Sequence, residues 1–221
     1  MSNTEPAASD AEATAAAVKR TRVIEIVEVA VLSIVALTTA WSGYQGTQWG
    51  GRQSMLYAQA SSTRLQAEAL STHAGQVLVA DATIFTAWLE AHHAHDTSLE
   101  GELERRFSAE YHDAFTAWLA TDPFTHAAAP PGPAAMPGFT TAEYQQAAAM
   151  NDQASALLTE GTDARDTANE YIRATVLFAS VLLLIGIAQR FSIAGVRIAA
   201  NVLALVLLAY AVFSVARLPR I

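Results

Sequence analysis

The chain has 221 residues, of which 52% are hydrophobic and only 15% charged, against a charged share of about 25% in soluble domains. A formal net charge of −8 argues against nucleic acid as a partner, because phosphate needs a basic face. The lack of cysteine excludes disulfides, thiol catalysis and cysteine-based zinc sites. Residues 1–22 are rich in Ala, Ser, Thr and acidic side chains and show no apolar periodicity before Lys19, Arg20 and Arg22. They are expected to form a disordered cytoplasmic tail.

Residues 23–43 are expected to form the first membrane span, uncharged from Val29 onward. Glu25 and Glu28 lie in its entry turns. Carboxylates within a membrane are candidates for function, although the basic cluster just before them offers interfacial partners. Residues 44–171 lack strand-like alternation and are rich in helix formers, so they are expected to form a helical domain. Leu56, Thr63, Leu70, Val77, Ile84 and Ala91 recur every seven residues, and Ala60, Ala67, Ala74, Asp81 and Trp88 interleave with them. That pattern predicts a coiled-coil-like seam on one helix reaching about His95. Asp81 breaks the apolar line and needs a partner if buried.

A shorter helix is predicted from an N-cap near Ser98 to just before Pro123, since the residue preceding proline avoids helical geometry. Residues 122–139 hold five prolines and read as a loop of extended character. From Thr140 one helix is expected to run through Ala142 to Ala188, its last part, 172–189, forming a second span. A turn at 190–197, a third span at 198–216 and a short tail at 217–221 complete the chain. Asn201 is the polar residue near the start of the third span, expected to bond to a neighbouring helix. The fold class is therefore an all-α membrane protein: three transmembrane helices with an antiparallel helical bundle between the first two. The density of basic residues before the first span places the N-terminus in the cytoplasm and residues 44–171 outside it. In the bundle, Phe85-Thr86-Ala87-Trp88-Leu89 recurs as Phe115-Thr116-Ala117-Trp118-Leu119, which predicts two helices presenting the same anchor to one core.

Two groups of residues are candidates for a site. Trp41, Tyr44 and Trp49 suit a membrane interface, with an apolar ring and a polar tip. Gly43, Gly46 and Gly50 lie three and four apart among them and permit close approach of another helix, for which Ala164, Ala168 and Tyr171 are the best-matched surface. Gln45 lies in the same stretch. The second group is His92, His95 and Asp96, which share a helix face at offsets able to bind zinc or copper.

The span followed by Ala40-Trp41-Ser42-Gly43-Tyr44-Gln45, and then by Trp49, Gln53 and Tyr57, resembles a group of uncharacterised bacterial inner-membrane proteins. These have one N-terminal span, a helical middle and a C-terminal helical hairpin. The resemblance implies a multi-pass protein of the bacterial inner membrane and carries no activity with it. No nucleotide loop, zinc-protease helix or nucleophile elbow is present. The expected function is a non-enzymatic binding or scaffold protein without a cofactor. Its partners are the lipid bilayer and either a second copy or other membrane proteins. The alternatives are a small oligomeric transport or channel component, and an envelope sensor of metal or pH.

Overall fold

The computed structural model describes the backbone of residues 5–190 and 194–221 and the side chains of residues 26, 29–190 and 195–221. It holds α1 (Glu5–Ala94), α2 (Thr97–Glu104), α3 (Ala109–Leu119), a 3-10 turn (Pro133–Ala135), α4 (Ala142–Ala188) and α5 (Ala194–Ala216), with no strand among the described residues. The chain divides into two compact units: Met1–Met55 with Glu160–Ile221, and Leu56–Thr159.

In the first unit, α1 begins at Glu5, so its backbone takes in residues 5–22. Their many alanines carry the highest intrinsic helix propensity. Pro6 in the first turn interrupts no helical hydrogen bond. Parts of α1, α4 and α5 share one core of Val35, Tyr171, Ala174, Phe178, Val181, Ala204, Ala211 and Val215. The α4 contributors recur at spacings of three and four, the pattern of a packed helix seam. Elsewhere the surface of these helices is apolar: Leu183, Val176, Leu205, Val206 and Phe213 are all exposed.

α4 and residues Gly195–Ala216 of α5 are long and apolar enough to cross a membrane, and only 28% and 17% of their most apolar windows are buried. A core helix of a water-soluble protein buries such a surface. Here it faces outward, which points to membrane association. The expected first span, 23–43, lies within α1. Ile34 and Leu37 are exposed there, and the side chains of Glu25 and Glu28 lie outside the described residues. α5 starts four residues ahead of the expected third span. Asn201 is exposed on it, off the Ala204–Ala211–Val215 seam, rather than turned toward a neighbouring helix.

In the second unit, α1 and α4 run antiparallel. The groove that lines Tyr57 to Glu68 of α1 reaches Leu158 of α4, whereas His73 meets Glu143 at 2.8 Å and Gly75 faces the Tyr144 hydroxyl. Of the two interleaved lines, Ala60, Ala67, Ala74, Asp81 and Trp88 are all buried, as are Ala147 and Ala154 on α4, whereas in the other line only Leu56 and Ala91 are buried and Thr63, Leu70, Val77 and Ile84 are half-buried. Alanine every seven residues on both helices allows close contact.

The region expected as one short helix is two. Asp96, not Ser98, caps α2, accepting from the Leu99 amide at 3.1 Å. The chain then breaks at 105–108, and Ser108 caps α3. The proline-rich segment is anchored rather than merely extended. Trp118 donates through Nε1 to the Pro130 carbonyl at 2.7 Å, Pro133 is fully buried, and Met136 and Phe139 pack on the aromatic core. Gly132 lies against the Phe85 ring, where an added Cβ would come within 3.3 Å, so a side chain there requires the ring or the loop to shift slightly.

Candidate functional site

The stretch from Trp41 to Trp49 on α1 divides by face. Ser42, Gln45 and Gly46 are buried, Gly43 is half-buried, and Tyr44 is exposed with Gln48 donating to its hydroxyl. A Cβ built on Gly46 would lie 3.4 Å from Ile172 Cγ1, 3.5 Å from the Ala168 carbonyl and 3.5 Å from Tyr171 Cβ, while at Gly43 the nearest atoms are those of Thr175 at 4.0 Å. Residues 168–175 of α4 therefore lie against the glycine row. Gly50 has nothing within 4 Å and does not belong to the packed part of that row.

The same stretch has a second occupant. After α5 the chain folds back so that residues 217–221 lie across it. Gln45 makes a two-point amide clasp with Ile221, donating from Nε2 to its carbonyl at 3.0 Å and accepting its N–H on Oε1 at 3.3 Å. Trp49 Nε1 and the Tyr171 hydroxyl both donate to the Pro219 carbonyl, at 3.2 and 3.0 Å. Trp41 meets Tyr171 edge-on at 5.8 Å and carries the Arg220 guanidinium 5.7 Å from its ring centre. Three side chains, Gln45, Trp49 and Tyr171, satisfy backbone groups that follow a helix end, where intrahelical partners run out. Of the polar tips expected at a lipid interface, that of Trp49 thus meets Pro219, whereas Tyr44 faces outward. Ser42 Oγ is fully buried without a hydrogen-bond partner among the described residues, unlike Thr38 and Thr39, which donate to carbonyls four residues earlier.

His92, His95 and Asp96 do separate work. His92 lies between the Trp88 and Phe124 rings, with centroids at 5.0 and 4.6 Å and near-parallel planes. Glu100 Oε1 lies 3.4 Å from its Nδ1, within ion-pair distance but outside hydrogen-bonding geometry. His95 has φ of 58°. The Asp96 and His95 amides donate to the Ala91 and His92 carbonyls, which is the 6→1 and 5→2 pairing of a Schellman cap with His95 in the left-handed position. Asp96 caps α2. Among the described residues no three His, Asp or Glu side chains are gathered to hold a metal ion.

Asp81, the interruption in the seam, accepts from both the amide and the hydroxyl of Ser108, at 2.9 and 2.6 Å. Phe85, Trp88, Phe115 and Trp118 of the repeated motif meet in one buried cluster, with Trp88 Nε1 donating to Glu104 at 2.9 Å. Burial, and next to it the Asp81 charge, push the Tyr111 hydroxyl up to about 12. Comparison with protein-family models, curated proteins and solved structures gives no match, so the roles above rest on geometry alone.

Gly46→Leu should force α1 and α4 apart in the first unit. Overpacking costs about 1–3 kcal/mol, and helix propensity returns up to about 1. The distances at Gly46 also make Gly46→Ala tolerable, because its Cβ would make ordinary contacts. Thermal unfolding in mild detergent is expected to rank the variants Ala, then Leu, with Gly51→Leu close to the parent since nothing lies within 4 Å of Gly51. Equal melting of Gly46→Leu and the parent would refute a packing role.

Proposed function

We propose that the chain is a three-span protein of the bacterial inner membrane, in which residues 23–43 join the apolar parts of α4 and α5 as spans. It acts as a non-enzymatic binding or scaffold protein. Residues 44–171 stand outside the cytoplasm and mediate assembly with a second copy or another membrane protein. The observation that carries this reading is a pair of exposed apolar side chains on one face of the helical unit, one of them beside a groove. Leu65 and Val79 are both about two-thirds exposed and 14 residues apart, hence on one face of α1. Leu65 borders a groove of about 210 Å³ with Tyr57, Ala60, Arg64, Glu68 and Leu158. A charged rim around an apolar floor is the usual composition of a protein interface. In support, several side chains suited to chemistry are committed to the fold: Asp81 and Asp96 at helix ends, His92 and Glu104 around Trp88.

The chain has no cysteine, so single thiols report cleanly. Ala135→Cys in intact cells should react with a membrane-impermeant maleimide, and Leu65→Cys should form a dimer band with an impermeant bis-maleimide. Labelling of Ala135→Cys without a Leu65→Cys cross-link to itself or a neighbour would leave the orientation standing and refute assembly through this face. Labelling only after lysis would refute the orientation.

A further inference from the structure

In the first unit, α4 and α5 enclose a groove of about 440 Å³ lined by Ile172, Arg173, Val176, Leu177, Tyr210 and Ser214, together with Glu170 and Ala174. Its floor is apolar and it is continuous with exposed apolar residues of both helices. Its two charged lining residues are Arg173 and Glu170. Arg173 pairs with Glu170 at 2.6 Å. Arg217 follows Ser214 by one turn, its amide donating to the Ser214 carbonyl. The Arg217 guanidinium lies 4.0 Å over the Phe213 ring. Arg52 and Arg220 are likewise held over Trp49 and Trp41 in the same unit. Among the described residues none of Arg52, Arg217 and Arg220 has a carboxylate within ion-pair distance. An aromatic face fixes the plane of a guanidinium and leaves its edge N–H donors free. That edge matches the two oxygens of a phosphodiester.

We propose that this groove is a binding site for one anionic phospholipid of the surrounding bilayer. An acyl chain lies along Val176, Leu177 and Tyr210, and the phosphate is held by Arg217 with Arg173 beside it. The apolar trough accounts for a lipid tail rather than a water-soluble ligand. Arg217, without a carboxylate partner among the described residues and one turn beyond the lining Ser214, accounts for an anionic rather than a zwitterionic headgroup. This inference does not depend on how the helical unit assembles.

The test is retention of lipid by the full-length protein. It is purified in mild detergent, exchanged with phosphatidylglycerol or phosphatidylcholine in turn, and read by native mass spectrometry. Both lipids offer the phosphodiester, but the choline cation offsets its charge beside Arg217, so phosphatidylglycerol is expected to be retained about tenfold better. Arg217→Gln should remove most of that preference, and Arg217→Lys should restore part of it through charge without the planar fork. Val176→Trp, which fills the trough, should lower retention of both lipids. Arg165→Gln, whose side chain pairs with Asp166, should match the parent. Equal retention of the two lipids, or an unchanged preference in Arg217→Gln, would overturn the proposal. So would inorganic phosphate displacing phosphatidylglycerol completely, since the site would then hold a free anion and not a lipid.

Discussion

Trp118→Ala is expected to destabilise the helical unit by about 3–5 kcal/mol, the usual cost of deleting a buried large aromatic. Trp118 meets Phe85 edge-on at 5.1 Å, with Phe115, Trp88 and Phe124 at 6.2, 6.4 and 5.8 Å. The substitution empties the centre of the cluster and also strips the Pro130 carbonyl of its donor. The second loss loosens the proline-rich segment, because that bond and the packing of Gly132 on Phe85 fasten it to the core. Two measurements follow. The unfolding midpoint of the full chain should fall steeply, and limited proteolysis between residues 122 and 139 should accelerate under native conditions. Trp118→Phe separates the terms: it keeps most of the buried area and loses only the indole donor, so it should cost about 1–2 kcal/mol while still exposing the loop to protease. A Trp118→Phe loop as resistant as the parent would show that packing, not the indole bond, holds the segment.

The cluster itself was legible in the sequence. Two copies of Phe-Thr-Ala-Trp-Leu each place Phe and Trp three residues apart, on one side of a helix, so both copies could serve one core. The alanine seam was legible for the same reason, since its period is local. Helix ends were harder. The break at 105–108 depends on Asp81 reaching across 27 residues to the Ser108 amide and hydroxyl, so propensity along the chain favoured one continuous helix. The clasp on the last five residues was not readable at all. Gln45 and Ile221 are 176 residues apart, and nothing local marks a glutamine as a partner for backbone groups. Trp41, Tyr44 and Trp49 carried a signal for a membrane interface, which is a property of residue type. Which of their tips meet protein is a property of tertiary contact: Trp49 and Tyr171 donate to Pro219, whereas Tyr44 faces outward.

Asp81→Ala should be the second most damaging change, at about 2–4 kcal/mol. It leaves two buried donors of Ser108 without their acceptor and weakens the N-cap of α3, itself worth about 1 kcal/mol. Asp81→Asn should be milder, because its carbonyl still accepts from the Ser108 amide and the Ser108 hydroxyl can rotate to accept from its NH2. The two variants also differ from the parent in alkaline solution. Tyr111 is held neutral in the folded chain up to about 12, by burial first and the Asp81 charge second, against an ordinary value of 10.0. The folded state therefore binds the phenolic proton more tightly than the unfolded state does. Stability from this group is fully present below pH 10 and is lost as pH rises from there through 12. Tyr111→Phe should abolish that part of the alkaline loss. Asp81→Asn should keep most of it and reduce it somewhat, since the larger cause, burial, survives. Denaturant unfolding at pH 8 and pH 11 in the four proteins measures this directly. If Tyr111→Phe loses as much stability between the two as the parent, another group titrates and the pairing of Asp81 with Tyr111 has no part in the alkaline transition.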